Sequence, residues 1–271
     1  MGREPTLTVL GAGTCVPSRA RRSAAHHLDL GRAQVLLDCG PGTLHGLDEH
    51  GVQWTELTHV AVSHYHVDHV GDLSALLFAL EHGTRPRRAA PITLLGPVGF
   101  TRFLKGLAAA LGDHLLRPSF EVEVCEIGGG CPFDDPAGAF TLEASATPHT
   151  EESLAYRLSG PWGAIGYTGD TGPSEELASF LRGCRVLLGE CSLEDPPSMD
   201  WHLSPSRLAE LAAIARPELL VVTHVYPPLT PAGAVRGVRA RYEGAVVAGT
   251  DGMTVELRAE GLAVDPPPTD G

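Results

Sequence analysis

The chain has 271 residues, 43% hydrophobic and 20% charged, ordinary for a soluble globular protein and enough for one large or two modest domains with ample core. A formal net charge of −13 argues against a partner held by phosphate neutralisation, so no duplex nucleic acid is expected. No apolar run approaches the ~20 residues of a membrane helix, and MGREPTLTVLGAG lacks the basic-then-apolar order of a signal peptide, so a cytoplasmic protein without a membrane partner is expected.

In chain order, LTVLGAGTCVP alternates as a strand and breaks at its glycines, and AHHLDLGRAQVLLDCGPG predicts two strands turning at Gly31 before a glycine-rich loop. TLHGLDEHG predicts a short helix stopped at Gly51. THVAVS is a strand followed by a histidine-bearing loop. DLSALLFALEHG, with Leu73, Leu76, Leu77 and Leu80 at helical spacing, is a helix lying on a core. In the second half ITLLGP, FEVEVCEI and FTLEASATPH are strands, SLAYRLSG and AIGYTGDT a hairpin, and SEELASFLRGC a helix. VLLGECS is a strand, SPSRLAELAAIARP a helix with Ser204 as N-cap, LLVVTHVYP a strand ending in a histidine, and VVAGTDGMTVEL a last strand pair. Residues 1–264 are expected as a single domain and 265–271, from DPPPTDG, as a flexible tail. Strand clusters with interspersed helices suggest two packed sheets with helices outside.

Six cysteines without a C-x-x-C pair are read as reduced, mostly buried thiols. The basic clusters Arg19, Arg21, Arg22 and Arg85, Arg87, Arg88 are read as solvated loops, with phosphate steering as the alternative.

The segment THVAVSHYHVDHVGDL (58–73) puts four histidines and two aspartates into sixteen residues. In extended chain, residues two apart point to one side, so His64 and His66 can converge on one ion. Asp68 and His69 fall in the turn entering the next helix, where a carboxylate is favoured and a protonated imidazole is not. Neutral imidazoles bound to a divalent cation resolve that conflict, and nitrogen and oxygen donors without thiolate suit zinc, with iron or manganese as alternatives. Solvated or core histidines account for a lone imidazole but not for this crowding. His149 in ATPHT, Asp170 in GYTGDTG and His224 in VVTHVY each stand just beyond an apolar strand, which supplies donors enough for two ions. Ser63, Tyr65, Thr168 and Thr223 adjoin these residues and are candidates for supporting contacts.

Through H-x-H-x-D-H in SHYHVDH, then His149, Asp170 in TGDT and His224 in TH, the chain resembles the metallo-β-lactamase superfamily, over nearly its whole length from LGAGTCVPS through DCGPGT to the last histidine. The resemblance implies an α/β fold, the αββα sandwich of two mixed sheets packed face to face with helices outside. It implies His64, His66 and His149 on one metal ion, Asp68, His69 and His224 on a second, and Asp170 bridging. Redox di-iron relatives tend to carry a carboxylate where this chain has His66, so the pattern looks hydrolytic and zinc-type.

Within the superfamily, LGAGTCVPSRARRSAAHHL and WHLSPSRLAELAAIARPELLVVTHVYP resemble the tRNase Z-like and phosphodiesterase branch. There the histidine matching His202, 22 residues before His224, is a non-ligand that stabilises or protonates the leaving oxygen. A surface histidine near a helix cap is the alternative. Two cations ~3.5–4 Å apart bring a shared water toward pKa ~7, and such a bridging hydroxide is the expected nucleophile. Asp68 would take up a proton and His202 would give one to the departing alkoxide. The expected activity is that of a dinuclear zinc phosphodiesterase on cyclic nucleotides, small phosphodiesters or short RNA. The alternatives are tRNA 3′-processing, hydrolysis of esters, lactones or sulfate esters on the same metals, and a non-enzymatic metal-binding module. Long tRNase Z-like chains carry a tRNA-binding arm between the residues matching His149 and Asp170; only twenty residues separate them here, which weighs against tRNA processing. The C-x-x-C insertion of some phosphonate-pathway cyclic phosphodiesterases is absent too. The branch is often dimeric, so a homodimer is possible.

Overall fold

Strands of this chain are apolar on both faces, which demands a buried layer on each side of a sheet. In Gln34–Leu37 (β3), Val35 and Leu37 point one way and Leu36 the other, and all three are fully buried. A computed structural model describes residues 4–128 and 130–265. Of the tail expected at 265–271, residues 266–271 lie outside the described residues.

The first half of the chain also forms Thr6–Gly11 (β1), Ala25–Asp29 (β2), Thr43–Glu49 (α1), His59–Ala61 (β4), Val67–Val70 (α2), Leu73–His82 (α3), Ile92–Pro97 (β5), Phe100–Leu111 (α4) and Val122–Ile127 (β6). The second half forms Phe133–Asp134 (β7), Thr141–Ala146 (β8), Leu154–Gly160 (β9), Gly163–Tyr167 (β10), Glu175–Phe180 (α5), Val186–Glu190 (β11), Pro205–Ala215 (α6), Leu219–Thr223 (β12), Pro231–Arg239 (α7), Val246–Ala248 (β13), Thr254–Arg258 (β14) and Gly261–Asp265 (β15).

Among the described residues these strands make an eight-stranded sheet, β15-β14-β1-β2-β3-β4-β5-β6, and a seven-stranded sheet, β13-β12-β11-β10-β9-β8-β7. Each sheet is antiparallel in one part and parallel in the other: β3 to β6 and β10 to β13 run parallel. Parallel neighbours need crossover connections, and each of these six carries a helix, α1, α3 and α4 in the first sheet and α5, α6 and α7 in the second.

Burial follows the layers. Between the sheets lie Leu7, Val9, Val35 and Leu37 from one side and Tyr156, Ile165, Leu188 and Val221 from the other. Outside the first sheet, Leu36, Val60 and Leu94 meet Leu73, Leu76, Leu77 and Leu80 of α3 and Phe100 and Leu104 of α4. Outside the second, Leu187, Leu220 and Val222 meet Leu177, Leu208, Leu211 and Val238. This is the αββα sandwich expected from the sequence. No helix among the described residues is long and apolar enough to cross a membrane.

Four local expectations are corrected. VVAGTDGMTVEL is not a strand pair: β13 joins β12 in one sheet, β14 joins β1 in the other, and β14 turns back on β15. The chain changes sheets at residues 249–253, where Gly252 takes φ 87°. Two helices escape the sequence reading. In α4, Phe100, Leu104 and Ala108 form a buried stripe at i, i+4 spacing, obscured by Gly106 within it and Ala109 and Ala110 after it. In α7 two glycines lower helix propensity, but Pro231 opens the helix, Thr230 Oγ1 accepts from Gly233 N at 3.1 Å, and a Cβ on Gly237 would stand 2.5 Å from Pro205, so the glycine permits close packing on α6. Finally, Ser204 occupies the N-cap of α6 but its hydroxyl faces Ser206 Oγ at 3.1 Å; Asp195 accepts from Ser206 N at 3.0 Å in its place. The six cysteines are free; Cys39, Cys184 and Cys191 are buried, whereas Cys15 and Cys131 are exposed, so burial is less complete than expected.

Candidate metal centre

All seven candidate ligands follow the C-terminal ends of strands on one rim: the segment after β4 carries His64, His66, Asp68 and His69, and His149, Asp170 and His224 follow β8, β10 and β12. The strand ends are a natural place for polar side chains, since the apolar run has stopped and the backbone is free to turn. Asp38 and His224, two of the three non-glycine residues with left-handed φ among the described residues, make such turns at 57° and 54°. Asp68 and His69 sit in the turn before α3, as expected, and that turn is the short helical segment α2.

The seven candidate donors form two groups, and His202 makes a third, overlapping group with Asp170 and His224. His64, His66, His149 and Asp170 each present an atom within 4.8 Å of the others, as do Asp68, His69 and His224. In the first, His66 Nδ1 lies 3.0 Å from His64 Nε2 and 3.1 Å from His149 Nε2. In the second, His224 Nε2 lies 3.3 Å from His69 Nε2 and 3.4 Å from Asp68 Oδ2. Asp170 stands between them. Its Oδ2 is 3.8 and 3.7 Å from His64 and His149 Nε2, and its Oδ1 is 3.4 Å from His69 Nε2 and from His224 Nδ1.

Three observations fit this donor set to metal ions. One ring nitrogen of His66 faces two others at contact distance, and one proton cannot satisfy both; around a tetrahedral ion with bonds of about 2.0–2.1 Å, nitrogens stand about 3.3 Å apart. Asp170 Oδ1 is buried without a hydrogen-bond partner, a costly state that a cation relieves. Third, outer hydrogen bonds orient the rings. His69 Nδ1 donates to Asp38 Oδ2 at 2.7 Å and His149 Nδ1 to the Trp201 carbonyl at 3.0 Å. Ser63 Oγ, donating to Asp38 Oδ2 at 2.8 Å, receives His64 Nδ1 at 3.0 Å; Ser192 Oγ, donating to Glu190 Oε2 at 2.7 Å, receives His224 Nδ1 at 3.0 Å. In all four rings the outer partner takes Nδ1, so Nε2 is the nitrogen turned toward the donor groups.

The charge balance agrees. Burial, reinforced by the nearby His69, pushes His64 down to about 2, so its ring is neutral. Burial opposes ionisation of Asp68, but the His224 hydrogen bond and His69 bring it down to about 2. Burial likewise opposes ionisation of Asp170, yet His224 and His69 hold it well below the usual carboxylate range. His69 is raised well above the ordinary histidine value: burial disfavours its charge, and Asp170 and Asp38 overcome that. A field that draws a proton onto a buried imidazole also favours a cation.

His202 lies on the same rim, not at a surface cap. Its ring centroid is 4.7 Å from that of His149 and 6.1 Å from that of His224, and its Nδ1 donates to Glu190 Oε1 at 2.8 Å. Burial disfavours its protonation, but the Glu190 hydrogen bond and charge raise its pKa above the ordinary value.

Two residues that organise the site were not singled out from the sequence. Asp38 also accepts from Ser63 N at 2.7 Å and from Tyr167 Oη at 2.6 Å, and is fully buried. Glu190, buried at the end of β11, accepts from Thr171 N at 2.9 Å, Ser192 N at 3.1 Å and Leu203 N at 3.3 Å besides His202. Both were visible as carboxylates ending apolar strands, in VLLDCG and VLLGEC. Of the four supporting candidates, Ser63 alone touches a donor histidine. Tyr65 turns away to the Pro97 carbonyl at 3.1 Å and stacks on Phe103 at 4.7 Å, and the hydroxyls of Thr168 and Thr223 bond backbone at Gly169 and Gly189.

The arginines divide. Arg87 is a solvated side chain, but Arg88 is buried and donates to the carbonyls of Thr55, Leu57, Ala90 and Pro91, so the loop reading fails for it. Arg22 pairs with Glu49 and Asp251, and Arg21 donates to the Val225 carbonyl at 3.2 Å.

Comparison with known proteins agrees with this arrangement. The profile of the beta-lactamase superfamily domain matches residues 33–225. An uncharacterized protein of Mycobacterium tuberculosis (strain H37Rv) is 30% identical over 260 residues, covering 94% of this chain and 93% of that one. Ribonuclease Z of Nocardia farcinica is 31% identical over 223 residues, 76% of this chain and 71% of that one. Among solved structures, the metallo-beta-lactamase fold protein YhfI from Bacillus subtilis has the same fold, with a TM-score of 0.79 at 20% identity, covering 93% of this chain and 98% of that one. The chain therefore belongs to the beta-lactamase superfamily, as a metallo-β-lactamase-fold hydrolase of the ribonuclease Z-like kind.

Proposed function

We propose that the protein is a two-metal phosphodiesterase acting on cyclic nucleotides, small phosphodiesters or short RNA, with zinc as its metal. The observation that carries this reading is Asp170, one oxygen toward each donor group, with His202 on the same rim. His64, His66 and His149 would hold one ion, Asp68, His69 and His224 the other, and Asp170 both. Two such ions, once bound, would supply Lewis-acid stabilisation to a phosphoryl group and acidity to water.

The chain's own groups handle the protons. Asp68, ionised at neutral pH, accepts one from the attacking water. His202 gives one to the departing ester oxygen: Glu190 holds its Nδ1–H, so Nε2 is the atom that delivers the proton. Overall, phosphorus gains the water oxygen, the P–O bond to the alcohol breaks, and the alcohol leaves with the His202 proton.

Similarity to Ribonuclease Z of Nocardia farcinica favours a second reading, tRNA 3′-processing. Against it, the twenty residues between His149 and Asp170 fold as the β9–β10 hairpin, turned by Pro161 and Trp162, with no protruding arm. The deciding measurement is turnover of bis-p-nitrophenyl phosphate, a 2′,3′-cyclic nucleotide, a precursor tRNA and a lactone by zinc-loaded protein in one buffer. Turnover of the first two is expected. Precursor tRNA cleaved far faster than both would replace the substrate class, and hydrolysis of the lactone alone would sink the phosphodiesterase reading.

A further inference from the structure

Two cavities open beside the donor groups, and their linings differ in kind. One, of about 320 Å³, has Asp68 and Arg21 in its wall. The other, of about 490 Å³, has His202 in its wall with Leu193, Pro196, Met199 and Pro228. Cys15 belongs to the first wall and Tyr226 to the second, and their thiol and hydroxyl meet at 3.2 Å, closing the gap between the two spaces.

Resting on the phosphodiesterase reading, we infer that the cavity beside His202 receives the departing alcohol of the substrate, and that this alcohol is a neutral, ring-bearing group such as a nucleoside. A proton donor must lie within hydrogen-bond reach of the oxygen it protonates, so the group carried by that oxygen extends into the space next to His202. That space falls in the range of small-molecule sites, about 300–1,000 Å³. Its walls are aliphatic and proline-rich, which suits the faces of a ring and rewards their removal from water.

Charge narrows the occupant. Among the described residues lining this cavity none is lysine or arginine, and Glu194 is acidic. A further phosphate on the departing group would face that carboxylate with no lysine or arginine to offset it, the His202 proton being committed to the ester oxygen. The arginines lie on the other side, Arg21 and Arg22 in the wall that holds Asp68. In an acyclic diester, extra negative charge is therefore tolerated on the part that keeps the phosphoryl group and disfavoured on the part that leaves; in a cyclic nucleotide the freed hydroxyl stays on the same nucleoside, which then occupies this cavity.

The test is calorimetric binding of adenosine 5′-monophosphate, adenosine 3′,5′-bisphosphate and inorganic phosphate to zinc-loaded protein. Met199→Trp fills the cavity and is expected to weaken the monophosphate at least tenfold while inorganic phosphate stays within twofold. Monophosphate affinity unchanged, or lost in step with inorganic phosphate, overturns the assignment. Glu194→Lys, at an exposed side chain, is expected to favour the bisphosphate over the monophosphate at least fivefold relative to wild type; no such gain overturns the neutrality of the occupant. The same preparations, assayed with bis-p-nitrophenyl phosphate, separate the two readings. Turnover with Met199-independent nucleotide binding removes the cavity alone, and Met199-dependent binding without turnover removes the phosphodiesterase alone.

Discussion

The carboxylate of Asp38 receives Nδ1 of His69 at 2.7 Å, and the same oxygen accepts from Ser63 and Tyr167. One buried aspartate thus fixes the orientation of His69 directly and of His64 through Ser63. We predict that Asp38→Asn, which keeps the shape but loses the charge, lowers zinc affinity about 10–100-fold. Competition titration against a chromophoric chelator checks it, and wild-type affinity in a folded variant would refute the orienting role.

On the proposed mechanism, in which His202 is a proton donor and not a ligand, His202→Ala should lower kcat for an unactivated phosphodiester by about 10²–10⁴ with zinc content unchanged. A p-nitrophenyl ester, whose leaving group needs no proton, should lose much less. Equal losses on both substrates would remove His202 from the acid role.

Chelation should abolish hydrolysis and lower the melting temperature, and zinc should restore both at two ions per chain. Ions that bind the folded chain alone stabilise it by about 4 kcal/mol per site at a thousandfold excess over Kd. Elemental analysis of active protein is the check: one ion per chain at full activity contradicts the bridging position of Asp170.

His26 on β2 is buried edge-on to Tyr167 at 5.2 Å, and its Nδ1 has no hydrogen-bond partner among the described residues. Burial pushes it down to about 3, with Asp38 partly opposing. The unfolded chain, near the ordinary 6.5, binds the proton that the folded chain refuses. Stability is therefore complete above about pH 6.5 and falls by about 1.4 kcal/mol per unit as pH drops from there toward 3. His26→Gln should flatten that slope, measured by urea midpoints between pH 7 and 5; parallel losses in the two proteins would contradict this.

Arg88→Ala should destabilise the protein by about 3 kcal/mol or more, since it strands buried carbonyls that the guanidinium now serves. At temperatures where the variant stays folded, KM should not change. A raised KM with stability intact would return the residue to substrate binding.

Much of the fold was legible because it is written in short periods. Alternation in TLTVLG and helical spacing in LSALLFALEH are set by covalent geometry and need no distant partner. The elements that escaped lean on packing: α7 holds Gly237 because Pro205 of α6 lies against it, and β14 parts from β13 because the first sheet offers β1 as a partner.

The sequence by itself determined which candidate donors to look for, because His64, His66, Asp68 and His69 crowd into six residues and the remaining candidates each end an apolar strand. Only the tertiary structure decided how they are held. Asp38 meets Tyr167 across 129 positions, Glu190 meets His202 across a loop, and the cavity walls come from two segments that are distant in the chain. A carboxylate at a strand end has the same local pattern whether it faces solvent, a metal or a histidine. Its partner is chosen when the two sheets pack and bring their strand ends to one rim.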